Sequence, residues 1–168
     1  MKEIYSRRSI RKYKDEKVSD TDLTSLAKAV MNTPSGMNTQ PWQIVIINDP
    51  DLIGELVSYN KGWTPLEKAG RGMLLCGDLT KNPDPNYLNI DIGAATQTVL
   101  LEAESMGLGT CWLGVGPRAE RTAAVSSMFS LPENFHPVSM IAVGIKDEQP
   151  EMNDRFLEER VHFNSFGK

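Results

Sequence analysis

Four apolar runs constrain this chain more than any other feature. QIVIIN at 43–48, GMLLCG at 72–77, TCWLGV at 110–115 and VSMIAVGI at 138–145 are nearly free of charge and rich in strand-forming side chains. A strand with one wet face alternates apolar and polar residues, whereas these runs do not, so the sheet they form must be covered on both faces. The covering layers are legible between them. Ser19 and Asp22 form a capping pattern ahead of Leu23, Leu26, Ala27 and Val30, predicting an amphipathic helix over 20–32. Asp49 and Pro50 open a second helix whose buried face is Leu52, Ile53, Leu56 and Val57. Ile92, Ala95, Val99, Leu100, Ala103 and Met106 share a face of the longest helix, 89–106, which stops at Gly107. Another is expected from Pro117 to about Met128. The alternation predicts an α/β or α+β chain in three layers.

With 168 residues, 1–168 reads as a single domain. The net charge of -4 argues against a general nucleic-acid binder. No run is long enough to span a bilayer, and MKEIYSRRSI has no apolar secretory core. Cys76 and Cys111 lie far apart in apolar runs, the pattern of buried thiols in a reducing, cytoplasmic setting.

Several catalytic patterns fail. GLGTCWLG at 107–114 has Trp112 where a dinucleotide fingerprint needs its third glycine, and it leads from helix to strand, the wrong order. There is no phosphate-loop motif and no G-x-S-x-G elbow. His136 and His162 offer no metal set with two distant cysteines. His162 could donate a proton, but a surface histidine is the plainer reading.

Within an acidic chain, SRRSIRKYKDEK at 6–17 concentrates cations. They could form a solvated face, a nucleic-acid or membrane patch, or a site for a small phosphorylated ligand. Arg7, Arg8 and Ser9 can supply the forks and hydroxyl a phosphate needs, and Arg11 can reach another part of the same ligand. Ile4, Tyr5, Ile10 and Tyr13 interleave the cations and are expected to anchor the segment. The loop PSGMNTQP at 34–41 carries Asn38 and Gln40, whose amides suit the edge of a planar heterocycle or, alternatively, satisfy loop backbone.

RRSIRKY, PSGMNTQPWQ and GAATQTVLLEAESMGLGTCWLGV, in that order, resemble the FMN-dependent nitroreductase family from Tyr5 to about Phe163. The resemblance implies an α+β, three-layer α/β/α fold with a mixed, mainly antiparallel sheet. It implies an intertwined homodimer with FMN at the subunit interface. Arg7, Arg8 and Ser9 match phosphate and ribityl contacts, and Arg11 the cation facing the flavin pyrimidine. Pro34, Ser35, Gly36, Asn38 and Gln40 match the loop laid on the flavin by the second subunit. Leu113 and Gly114 match the strand end beside the isoalloxazine, and Arg155 a tail arginine that closes on the phosphate.

The implied activity is transfer of hydride from NAD(P)H through FMN to nitroaromatics, quinones or related small acceptors, with no catalytic side chain and Arg11 tuning the flavin. Flavin, enone or dehalogenating reduction, or FMN binding without catalysis, are the alternatives. The stretch 60–89 is short for a helical lid, so YNKGW and NPDPNY are expected to form a smaller one. In the polar tail, Val161 and Phe163 are the candidate anchors.

Overall fold

The computed structural model describes residues 2–152 and 154–167. Four strands form one sheet: β1 (Trp42–Ile47), β2 (Gly72–Asp78), β3 (Leu108–Gly114) and β4 (Phe135–Ile145), in the order β1-β2-β4-β3. All neighbouring strands are antiparallel. A parallel bridge from Ser9 to Thr110 makes the pairing mixed.

Both sheet faces are buried, as the apolar runs require. Met73, Leu75, Ile141 and Val143 point to one core, where they meet helices α2 (Asp20–Val30) and α5 (Pro85–Ser105). Leu74, Cys76, Met140 and Ala142 point to the other, under α3 (Pro50–Tyr59), α4 (Thr64–Ala69) and α6 (Ala119–Met128). Side chains alternate along a strand, so adjacent residues serve opposite cores. The three layers follow directly. A short helix, α1 (Glu3–Ser6), precedes the basic segment.

Caps explain most boundaries. Ser19 accepts from the Asp22 amide, and Asp49 from that of Asp51. Leu52 is only partly buried on α3, while Ile53, Leu56 and Val57 fill its inner face. The longest helix starts at Pro85, four residues earlier than its apolar periodicity indicates, because Asp84 caps the Asn86 amide and Pro85 takes the first turn. NPDPNY therefore divides between turn and helix. Likewise, the last helix begins at Ala119, with Pro117 in the turn before it. The last strand extends back to Phe135: the register shift opposite Leu75 and Cys76 accommodates Pro137, which cannot donate to a regular ladder.

Burial corrects or refines three expectations. Trp63 in YNKGW is 2% exposed and belongs to the core, followed by α4, so the small cover expected at this stretch is pinned to the core by its tryptophan. Ile10 and Tyr13 do anchor the basic segment, but Ile4 and Tyr5 are exposed. Val161 and Phe163 are exposed as well, together with Met152, Phe156, Leu157 and Phe166 in the same tail. Among the described residues, no helix is long and apolar enough to cross a membrane.

Candidate functional site

The basic segment lies along the outer edge of β3. The Ile10 amide donates to the Thr110 carbonyl at 2.8 Å. Gly109 permits this approach, since a Cβ there would come within 3.0 Å of the Ile10 side chain. Further on, the Lys14 amide donates to the Ile145 carbonyl at 3.0 Å, and the Glu148 carboxylate accepts from the Arg11 and Lys12 amides. Those amide hydrogen bonds, the Arg11 bond foremost, hold Glu148 below the usual carboxylate range. The segment is thus stitched to both β3 and the end of β4. Tyr13 completes the attachment, its hydroxyl donating to the Ile10 carbonyl and its ring resting where a Gly144 side chain would stand.

An extended segment sends successive side chains to opposite sides. Arg8 and Ile10 line a broad groove of about 970 Å³ with Ser6, Glu104 and Lys146, whereas Arg11 turns into a smaller cleft of about 170 Å³ with Leu113 and Gly114. Arg8 spends three donor contacts on main-chain carbonyls of Tyr5, Arg7 and Glu151. It binds the start of the tail and does not share the Arg11 cleft.

In the groove, Glu104 accepts from Lys146 at 2.6 Å and from Ser6 at 2.9 Å. Burial alone would raise its pKa; those hydrogen bonds and the charges of Lys146 and Arg7 outweigh burial and hold it below the ordinary range. A carboxyl depressed in the folded state stabilises it above the unfolded pKa, and loses that contribution as the pH falls through the folded value. Glu104→Gln is therefore expected to be less stable than wild type at neutral pH, by about 1–3 kcal/mol for a lost charged hydrogen bond. The difference should shrink in urea melts taken progressively below pH 4, and a constant difference would contradict the assignment.

The smaller cleft has the chemistry for an anionic or electron-rich ligand. Thr110 faces Ile10, so alternate residues Trp112 and Gly114 present their backbone groups to the same free edge of β3. A Cβ on Gly114 would meet nothing within 4 Å, leaving open space over its Cα. Its carbonyl accepts from the Arg121 Nη1 at 3.2 Å. Arg121 also lies over the Trp63 ring, 6.0 Å from its centroid. Among the described residues, two guanidiniums line the cleft and no carboxylate does. Asn60 and Trp63 belong to YNKGW, which the sequence marked only as a cover, with the Asn60 cap ahead of Gly62 as the further signal, whereas Arg121 was missed because no motif marks it.

The amide loop stands apart from this cleft. Gly36 N–H donates to the buried Asp91 Oδ1 at 2.9 Å, and the Gln40 amide to Ser35 Oγ at 2.9 Å. Met37, Asn38 and Gln40 all have positive φ, a conformation costly for side-chain-bearing residues and held here by those bonds. Asn38 and Gln40 are exposed and contact each other at 3.3 Å. Pro34 is exposed at the start of this loop. Neither cleft is lined by any residue from Pro34 to Gln40, nor by Arg155, which is exposed in the tail. Arg7 and Ser9 are half-buried and line neither cleft, the Arg7 charge acting on Glu104 in the groove.

Other reactive groups carry no comparable arrangement. Both cysteines are free and buried, and burial pushes Cys76 up to about 12. Burial also lowers the His136 pKa. His162 accepts from the Gly167 amide and packs on Phe166, all within the tail.

A sheet buried on both faces thus carries, at the free edge of β3, a cleft lined by two guanidiniums. The nitroreductase family profile matches residues 4–79 and 77–145, and the chain belongs to that family. An Archaeoglobus fulgidus protein provisionally named NADH dehydrogenase/NAD(P)H nitroreductase is 37% identical over 167 residues, covering 96% of this chain and 95% of its own. A provisionally named nitroreductase from Desulfovibrio desulfuricans, solved with FMN, superposes with a TM-score of 0.84 at 27% identity, covering 98% and 96% of the two chains. The NADPH:FMN oxidoreductase of Vibrio harveyi, solved with NAD+, gives a TM-score of 0.86 at 28% identity, covering 99% of this chain and 77% of the other.

Proposed function

We propose that this protein is an NAD(P)H-dependent FMN oxidoreductase that reduces nitroaromatics, quinones or related small acceptors. The observation that carries the reading is Arg11 in one cleft with Leu113 and Gly114, at the free edge of β3. Bound FMN would supply two-electron transfer between nicotinamide and acceptor. The chain's own residues bind, orient and polarise. Arg11 places a permanent positive charge where reduced flavin gathers negative charge, and Gly114 leaves room for the ring to approach backbone donors. Arg7 and Ser9 are assigned to the phosphate and ribityl chain, with Arg155 closing from the tail. Arg8 matches the same family contacts, but its donors also hold the tail.

The cleft of about 170 Å³ is smaller than the ~300–1,000 Å³ typical of a site for a ligand of this size. We assign the remainder to Pro34, Ser35, Gly36, Asn38 and Gln40 of a second copy, in an intertwined homodimer. The tail supports this, with six large apolar side chains exposed from Met152 to Phe166. A cytoplasmic location belongs to the same proposal and rests on the two free cysteines.

The test is a visible spectrum of the purified protein supplemented with FMN, then anaerobic addition of NADH and NADPH. Flavin bands that bleach with either donor support the oxidoreductase; bands that persist with both point to flavin binding alone. For the dimer, sedimentation velocity of the FMN-loaded protein is expected to give a single species of twice the chain mass. A monomer that retains FMN tightly would contradict the shared site.

A further inference from the structure

We propose that Arg121, seated on Trp63, forms an acceptor subsite that selects planar substrates bearing an anionic group. The proposal rests on the oxidoreductase reading and extends it to the class of acceptor. Its basis is the position of two cations along one strand edge. Arg11 enters beside Thr110, to which its neighbour Ile10 is bonded, whereas Arg121 is bonded to the Gly114 carbonyl. These anchor points are four residues apart on β3, about 13 Å at the usual strand rise. One fused-ring cofactor edge would occupy Arg11, leaving the second cation for what stands beside that ring.

Arg121 is prepared for this. Its bond to Gly114 uses one nitrogen of the five-donor fork, and the fork's other N–H groups remain for a ligand. Trp63 lies under the guanidinium and is 2% exposed, so the platform is packed into the core. Trp112 is 41% exposed on the same cleft and offers an aromatic wall. A fork seated on one indole, in a cleft that a second indole also lines, fits an aromatic carboxylate or sulfonate better than a neutral ring. Among the described residues no carboxylate enters the lining to compensate Arg121 there. The net reaction is balanced for a quinone by two electrons and two protons: NAD(P)H, one solvent proton and quinone give NAD(P)+ and hydroquinone. Arg121 acts on acceptor binding and takes no part in proton transfer.

The matched probes are 4-nitrobenzoate and 4-nitrobenzamide, which differ in charge and scarcely in shape. With FMN-loaded wild type, kcat/KM is expected to favour the carboxylate by about tenfold, the scale of one charge-assisted hydrogen bond. Arg121→Gln should abolish that preference through KM for the carboxylate, and Arg121→Lys should keep part of it. Titration calorimetry with the non-reducible pair 4-methylbenzoate and 4-methylbenzamide gives an independent readout, with tighter carboxylate binding lost in Arg121→Gln. An unchanged carboxylate-to-amide ratio in Arg121→Gln overturns the subsite, as does a variant whose only defect is KM for NADPH. If wild type reduces neither nitro compound but still binds 4-methylbenzoate through Arg121, the oxidoreductase reading fails and the anion subsite stands.

Discussion

Arg11→Ala is expected to weaken FMN binding or slow flavin reduction by about 10–100-fold, with little change in thermal stability. The magnitude follows from losing a charged hydrogen-bond donor at an anionic ring, about 1.5–3 kcal/mol. Stability should hold because the Arg11 side chain is exposed and makes only a long 3.4 Å contact, to its near neighbour Ser9. Its backbone amide, which the substitution retains, makes the bond to Glu148. Arg11→Lys keeps a positive charge but loses the planar fork, so it should fall between the two. Arg8→Ala offers the informative contrast. It removes contacts to Tyr5, Arg7 and Glu151, and should loosen the tail more than it alters the electronic environment of the flavin. Equilibrium dialysis and stopped-flow reduction with excess NADH separate affinity from rate. If both stay at wild-type values in Arg11→Ala, the role given to Arg11 is wrong.

The contrast between these arginines shows what the sequence could and could not convey. RRSIR announces a cluster, and the interleaved Ile10 correctly implies a tethered segment. What the string hides is its extended conformation along β3, which separates Arg8 from Arg11 by side. That separation depends on Ile10 meeting Thr110, a partner a hundred residues away. The sheet was readable because doubly buried strands leave continuous apolar runs. Helix starts were readable where a cap and apolar spacing coincide, as at Asp49-Pro50. At Asp84-Pro85 the same signal sits inside a proline-rich turn, with Asn86 and Tyr87 exposed after it, so periodicity alone placed the start too late. Arg121 was invisible, and Trp63 legible only as part of an expected cover, for a different reason. Their meaning is a contact between α6 and the segment before α4, and neither residue belongs to a local pattern.

Trp63 ties the core to the cleft, so its removal should be felt in both. Trp63→Ala is expected to cost about 3–5 kcal/mol, the range for deleting a large buried aromatic side chain. For a chain of this size that corresponds to a fall in melting temperature of about 6–20 °C. Trp112→Ala, at a residue 41% exposed, should cost far less, because much of its surface is already in water. The two substitutions remove the same side chain from the same cleft, and so separate burial from chemistry. Trp63→Ala should also release Arg121 from its platform while sparing its bond to Gly114, lowering the preference for 4-nitrobenzoate at temperatures where the variant remains folded. Calorimetric melts of the FMN-loaded proteins decide the stability part. Equal losses for Trp63→Ala and Trp112→Ala would mean that YNKGW is a mobile cover after all. A large loss confined to Trp63→Ala would place this tryptophan in the wall that separates core from cleft, where its upper face carries the guanidinium.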